Sequence, residues 1–132
     1  MKFAVGLLLL TSVWSALAVQ PHSLHSDMAV LQSGLPCFSG TGTLGDNITV
    51  TIRRDSSGAA IAVAGPTAVT PDGRWKVCLT STLEPSLANH TILFTALPSG
   101  ASARNNGVLI GNVIVCSGQS NVRMPIPHRV YT

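Results

Sequence analysis

The sequence predicts a mostly β chain built around a β-sandwich, jelly-roll-like domain, and three observations point to this fold class. Short apolar segments with a period of two recur between residues 24 and 104, separated by turns rich in glycine and proline. The chain is 45% hydrophobic and only 10% charged, whereas disordered chains combine low hydrophobicity with high net charge. No stretch before residue 108 has the period of an amphipathic helix.

The amino-terminal residues have the pattern of a secretory signal peptide. Lys2 supplies a positive start, residues 3–10 (FAVGLLLL) form an apolar run, and Ala16 and Ala18 are the small residues that signal peptidase accepts. A membrane anchor is the alternative, but a spanning helix needs about 20 apolar residues, and hydroxyl residues interrupt this run from position 11. We therefore expect cleavage after Ala18, a secreted or lysosomal protein, and no membrane association after cleavage.

The strands of the sandwich can be placed from the alternation of their residues. Residues 48–52 (ITVTI) alternate apolar and hydroxyl side chains, as in a strand with one buried face. The predicted strands are residues 48–52, 59–64, 75–79 and 91–95. The side chains expected to point into the core are those of Trp75, Val77, Ile92 and Phe94.

Three cysteines follow the signal segment: Cys37, Cys78 and Cys116. In an oxidising compartment two of them can pair. Cys37 and Cys78 fall in strand-like segments of one domain, so we expect the disulfide between them. Cys116 ends an apolar run and is expected to be a buried thiol. No cysteine or histidine spacing resembles a zinc site, so no metal and no other cofactor is predicted.

Two sequons agree with passage through the secretory pathway. Residues 47–49 (NIT) and 89–91 (NHT) match the acceptor pattern Asn-x-Ser/Thr without proline. We expect Asn47 and Asn89 to be glycosylated and to lie on the surface. Nucleic acid is not expected as a partner. Loss of Lys2 leaves seven Lys and Arg against five Asp and Glu, and these basic residues are too scattered for a basic patch.

The character of the sequence changes near residue 105. Residues 108–115 (VLIGNVIV) are nearly all apolar and β-branched, as in a strand buried on both faces within a parallel sheet. A small polar turn, residues 117–121 (SGQSN), follows directly. A strand that runs into such a turn is how α/β hydrolases present a nucleophile at the carboxyl edge of a sheet. The predicted organisation is therefore a signal peptide (1–18), a sandwich domain (19–104) and the start of a second domain (105–132).

Four motifs, taken in order, resemble the sialate O-acetylesterase family of SGNH-type hydrolases. Residues 116–121 (CSGQSN) resemble the family's nucleophile block CSGQSNM, with Val122 in place of the methionine. Residues 25–32 (HSDMAVLQ) are similar to its amino-terminal signature SDxMVLQ. Residues 71–75 (PDGRW) are similar to its DGxW element, and residues 109–113 (LIGNV) to its approach to the nucleophile. The resemblance covers nearly the whole chain after the signal segment.

The resemblance implies that the sandwich is followed by the first strand and nucleophile turn of a truncated α/β SGNH hydrolase domain. It implies hydrolysis of O-acetyl esters, with an O-acetylated sugar or sialic acid as substrate of the full-length enzyme. In that scheme Ser120 is the nucleophile, and its own backbone N–H helps to stabilise the oxyanion. In the family the catalytic His and Asp come from segments far downstream of the nucleophile. His128 lies only eight residues after Ser120 and is therefore not expected to be that histidine. A chain that stops at Thr132 is therefore expected to be inactive alone.

A second hypothesis comes from another functional class. The chain would be a non-catalytic secreted β-sandwich module that binds glycans or a partner and keeps only a vestigial serine turn. Both hypotheses share the sandwich, and they differ in whether Ser120 carries chemistry. For a lone serine without its base, a surface turn that caps a following helix is the simplest structural interpretation.

Overall fold

The computed structural model describes residues 19–115. These residues contain eight β-strands and no helix. The strands are β1 (Gln20–Pro21), β2 (Val30–Gln32), β3 (Cys37–Thr41), β4 (Asn47–Arg54), β5 (Ala60–Ala68), β6 (Arg74–Cys78), β7 (Ser86–Leu97) and β8 (Ser102–Gly111). The predicted mostly β fold class is confirmed for this part of the chain, and so is the expectation that no helix lies between residues 40 and 100.

The strands form two sheets that pack face to face. One sheet has three strands in the order β1-β3-β6, and the other has five in the order β2-β8-β7-β4-β5. Neighbouring strands are antiparallel except β2 and β8, which are parallel. Phe38 and Trp75 of the smaller sheet meet Phe94 of the larger one, with ring centroids 6.1 Å and 5.9 Å apart. The aromatic contacts join the two layers of a sandwich-like fold.

The core is made by one face of each strand. In β4 the side chains of Ile48, Val50 and Ile52 are 0% exposed, while the residues between them face outward. Each such burial contributes roughly 1.5–3 kcal/mol to folding. The inward orientation predicted from the sequence is also found on β6 and β7. Trp75, Ile92 and Phe94 are buried, and Val77 is half-buried against the core.

β5 is longer than the sequence analysis predicted. The predicted strand spans residues 59–64, whereas the observed one begins at Ala60 and continues through Gly65 and Pro66 to Ala68. β5 is an edge strand of the five-stranded sheet, and an edge position tolerates proline because no ladder hydrogen bond is required there. Gly65 has a φ of 99°, and a Cβ at this position would lie 2.6 Å from the Ile48 carbonyl oxygen. Glycine is therefore the residue that allows the strand to continue past this point.

β8 corrects the interpretation of residues 108–115 as a strand separate from the sandwich. It begins at Ser102, passes the predicted boundary at residue 105 without a break, and lies between β2 and β7. Its buried residues Val108 and Ile110 belong to the sandwich core. An interior strand of this sheet has the same apolar, β-branched composition as a strand of an α/β domain. The composition of residues 108–115 could therefore not distinguish the two kinds of strand. The signal segment (1–18) and residues 116–132 lie outside the described residues.

Candidate functional site

Ser120, the predicted nucleophile and oxyanion donor, lies outside the described residues, and so does Cys116. The described chain ends at Val115, on the amino-terminal side of the nucleophile turn. The part of the candidate site that can be described is therefore the segment that leads to this turn. It consists of β8, the residues 112–115 that follow it, and the residues that hold them.

β2 lies directly beside the end of β8. Val30 pairs with Leu109, Leu31 with Ile110 and Gln32 with Gly111, in parallel register. These pairs join two of the four motifs, since β2 ends the amino-terminal signature and β8 carries the approach to the nucleophile. The fold thus brings together two motifs that are far apart in the sequence.

Side-chain hydrogen bonds continue this contact past the end of β8. The Oε1 atom of Gln32 accepts a hydrogen bond of 2.8 Å from the Val113 N–H. The Ser33 hydroxyl donates to Oδ1 of Asn112 at 2.7 Å, and the Ser33 N–H donates to the Gly111 carbonyl at 2.8 Å. Residues 111–113 are therefore fixed to the signature segment by three hydrogen bonds.

The other half of the signature binds β8 at a bulge near residue 106. The Asn106 N–H donates to Oδ1 of Asp27 at 2.6 Å, and the Met28 N–H donates to the Asn106 carbonyl at 2.9 Å. Met28 adopts a φ of 60°, an unusual backbone conformation for a residue other than glycine. Its sulfur would lie only 2.5 Å from a Cβ at Gly107. Gly107 itself has a φ of 67°, a left-handed conformation that favours glycine, and its lack of a side chain leaves room for the Met28 side chain.

The chain beyond these hydrogen bonds is apolar and exposed. Val113, Ile114 and Val115 are 48%, 80% and 87% exposed, and Val30 on β2 is 52% exposed. Neighbouring exposed apolar side chains of this kind are typical of a surface that other protein covers. The exposed run immediately precedes the nucleophile turn in the sequence.

A second candidate site is a groove of about 620 Å³ on the outer face of the three-stranded sheet. Strand pairing places Ser39 opposite Lys76 and Thr41 opposite Arg74 on this face. The polar side chains that line the groove include those of Gln20, His22, Ser39, Thr41, Arg74 and Lys76. The Leu24 N–H donates to Nδ1 of His22 at 3.2 Å, so Nε2 is the nitrogen of the neutral ring that can donate.

The Asp72 carboxylate lies next to this groove. A hydrogen bond from the Thr70 hydroxyl holds the pKa of Asp72 below its ordinary value, and nearby Arg74 acts in the same direction. The Nε atom of Arg74 is 3.6 Å from Oδ2 of Asp72, and both side chains are mostly exposed. Such an exposed pair is weak, because water and salt screen it. Arg74 therefore remains available to an anion in the groove.

The strands under the groove are held in place by covalent and close-packed contacts. Cys37 and Cys78 are directly opposite each other on β3 and β6 and form a disulfide. The Trp75 indole N–H donates to the Thr41 carbonyl at 2.9 Å. A Cβ at Gly40 would lie 2.7 Å from the Trp75 ring and would also clash with the Gln20 carbonyl oxygen. Glycine at this position therefore allows β1 and the indole to pack on either side of β3.

One buried histidine was not singled out by the sequence analysis. His90 on β7 is 0% exposed, and its Nδ1 lies 3.3 Å from the Val108 carbonyl oxygen. Its Nε2 has no hydrogen-bond partner among the described residues. The alternation of β7 places His90 on the same face as Ile92 and Phe94, which was the available signal in the sequence.

Both sequon asparagines are exposed on the five-stranded sheet. Asn47 begins β4, and Asn89 lies on β7 next to the buried His90. In the second sequon the Thr91 hydroxyl donates to Oδ1 of Asp55 at 2.7 Å. Attachment of a glycan requires an accessible asparagine side chain, and both positions meet this requirement. Their glycosylation stays a prediction.

Within residues 19–115, no three His, Cys, Asp or Glu side chains lie close enough together to hold a metal ion. The same residues include no helix of the length and apolar character needed to cross a membrane. No family model matches this chain, and no curated protein matches it.

Proposed function

We propose that this chain is the amino-terminal portion of a secreted or lysosomal carbohydrate O-acetylesterase in which Ser120 is the nucleophile. The Ser120 Oγ would attack the acetyl carbonyl of an O-acetylated sugar or sialic acid, while a histidine base takes its proton. The backbone N–H of Ser120 would donate to the oxyanion that forms. The order of the four motifs along the chain supports this proposal.

The contact between β2 and β8 is the observation that carries the proposal furthest. Gln32 and Val113 are 81 residues apart in the sequence, yet they are joined by a hydrogen bond. In the signature segment the Asp27 carboxylate accepts the Asn106 N–H and the His25 ring packs against Phe38, so these groups are used within the fold and the segment's resemblance to a hydrolase family needs a structural explanation. Holding the chain that leads to Ser120 is such an explanation, since a nucleophile must be kept within a few tenths of an ångström of its productive position.

The exposed apolar residues after β8 give further support. Ile114 and Val115 are 80% and 87% exposed in the described chain, and they precede the nucleophile turn. In the proposed enzyme the α/β hydrolase domain would cover them. The alternative hypothesis, a non-catalytic glycan-binding or partner-binding module, gives no role to the motif order that ends at Ser120.

The test compares this chain with its longer in-frame product. Residues 19–132 are expected to show no turnover of an aryl acetate or an O-acetylated sialic acid, because loss of a triad member costs on the order of 10⁴-fold in rate. The longer product is expected to hydrolyse both esters and to lose that activity in the Ser120→Ala variant.

The control in this test is Ser117→Ala, a serine of the same turn that the resemblance does not assign to catalysis. Full activity of the longer Ser120→Ala protein would overturn the proposal. The absence of any Asp-x-x-His-like block in the downstream reading frame would overturn it as well, because the serine would then have no base.

A further inference from the structure

The groove on the three-stranded sheet contains polar groups that are not used within the fold. Among residues 19–115, the Lys76 ammonium, the Ser39 and Thr41 hydroxyls and the Gln20 amide make no side-chain hydrogen bond or ion pair. These groups come from three different strands and face one cavity. Binding of a ligand to these groups would therefore break no side-chain hydrogen bond or ion pair within residues 19–115.

The charge of the groove favours an anion. Arg74 and Lys76 are two positions apart on β6, so their side chains project from the same face of the sheet. Among the described residues no Asp or Glu lines the groove, and Asp72 lies beside Arg74. Two cations held about 7 Å apart along one strand can contact an acidic group and a hydroxyl of the same small molecule.

The size of the groove and its uncharged polar lining favour a sugar among the possible anionic ligands. Its volume of about 620 Å³ lies within the range of roughly 300–1,000 Å³ that is usual for small-molecule sites. Hydroxyl and amide groups outnumber charged groups in its lining, as expected for a ligand that has many hydroxyls. Pro21, an apolar residue of a type suited to the C–H face of a pyranose ring, is also among the lining residues.

From these observations we propose that the groove over β1, β3 and β6 binds acidic saccharides, with Lys76 and Arg74 contacting a carboxylate or sulfate group. The Ser39 and Thr41 hydroxyls and the Gln20 amide bind the hydroxyl groups of the sugar. The Cys37–Cys78 disulfide links β3, which carries the two hydroxyls, to β6, which carries the two cations. This binding site does not involve Ser120, so the proposal of a saccharide site does not depend on whether the chain belongs to an esterase.

The experiment is a titration of the ¹⁵N-labelled chain, residues 19–132, followed by NMR. The probes are glucuronic acid for the carboxylate, N-acetylglucosamine 6-sulfate for the sulfate, and N-acetylglucosamine as the neutral sugar. We expect the acidic sugars to shift the backbone amides of Ser39, Thr41 and Lys76. The neutral sugar should bind at least about tenfold more weakly, and binding of the acidic sugars should weaken as salt is raised.

Two variants separate a specific site from general attraction. Lys76→Ala is expected to weaken binding of the acidic sugars about tenfold, as for loss of one charge-assisted hydrogen bond. Arg104→Ala is the matched control, because Arg104 is an exposed arginine on β8 of the other sheet. It should leave the affinity unchanged. Both variants alter exposed side chains, so we expect them to keep the fold. An NMR spectrum that is otherwise unchanged from that of the original protein checks this.

Four results would overturn the proposal. The first is an absence of shifts at these amides at 50 mM sugar, and the second is equal affinity for the neutral and acidic sugars. The third is that free acetate or sulfate binds as tightly as the acidic sugars, which would leave no role for the saccharide. The fourth is an equal loss of affinity in Lys76→Ala and Arg104→Ala, which would indicate diffuse electrostatic attraction.

Discussion

Asp46 accepts two hydrogen bonds from Ser99: its Oδ1 from the Ser99 N–H at 3.0 Å and its Oδ2 from the Ser99 hydroxyl at 2.6 Å. Asp46 is only 3% exposed and lies just before β4, while Ser99 lies in the turn between β7 and β8. The pair therefore ties the turn that leads into β8 to the start of a central strand.

This pair predicts a large loss of stability when the buried Asp46 carboxylate is removed. Asp46→Ala removes both acceptors and leaves the Ser99 donors without them, so we expect the free energy of unfolding to fall by about 2–4 kcal/mol. Ser99→Ala removes the hydroxyl, which donates to Asp46 and accepts from the Ala101 N–H, but keeps the Ser99 N–H bond to Asp46, and should cost about 1–2 kcal/mol. Urea unfolding of both variants and of the original protein measures these changes in the free energy of unfolding. A loss below about 0.5 kcal/mol in Asp46→Ala would show that the turn is not fixed by this contact.

Phe94 should be the most sensitive position of the core. It is 0% exposed and contacts both Phe38 and Trp75 of the opposite sheet. Phe94→Ala is expected to lower the free energy of unfolding by about 3–5 kcal/mol, because it leaves a cavity between the sheets. Leu87→Ala on the same strand is the control, since Leu87 is 92% exposed. An equal effect of the two changes would contradict the packing of the sandwich.

The Cys37–Cys78 disulfide closes a loop across 41 residues. The chain-entropy relation gives about 4 kcal/mol for a loop of this length. The double variant Cys37→Ser/Cys78→Ser should therefore unfold at a markedly lower urea concentration. Cys116→Ser is the control and should keep the original midpoint. Mass spectrometry of unreduced peptides checks the pairing, and a peptide that links Cys116 to either partner would contradict it.

His25 predicts a dependence of stability on pH. Burial lowers its pKa below 6.5, and the charge of nearby His22 adds to the effect; the ring lies 5.1 Å from that of Phe38. As the pH falls, His25 therefore takes up a proton in the unfolded chain before it does so in the folded one. The free energy of unfolding should fall as the pH drops below about 6.5, until the pKa of His25 in the folded protein is passed.

The measurement compares the free energy of unfolding of the protein and of its His25→Gln variant at pH 7.5 and pH 5.5. The variant should lose less stability between the two pH values, because this proton linkage is gone. His22→Gln should give an intermediate result, since it removes only the smaller, electrostatic cause. An identical pH slope in all three proteins would refute the role of His25.

The sequence predicted best the strands whose residues alternate clearly between the two faces of the sheet. β4 and β7 have clear alternation, and their buried faces were placed correctly because burial imposes a period of two. β1 and β2 contain two and three residues, too few to show any period. β2 is fixed instead by its pairing with β8 and by the contact of Asp27 with Asn106, which are long-range interactions.

The two candidate sites differ in how much the sequence could show. The turn around Ser120 was found from a local motif and stays a prediction, because it lies outside the described residues. The groove depends on the register that places Ser39 opposite Lys76. Since one-residue differences in register move side chains to the other face of a sheet, no local pattern could have revealed which polar groups converge there.

The position of β8 has a consequence for how this protein can be divided. A cut at residue 105 would separate Val108 and Ile110 from the core that they complete. It would also leave β2 without its neighbour and expose one edge of β7, a surface prone to intermolecular pairing. A junction for gene rearrangement or laboratory domain exchange that keeps this sandwich folded must therefore lie after Gly111.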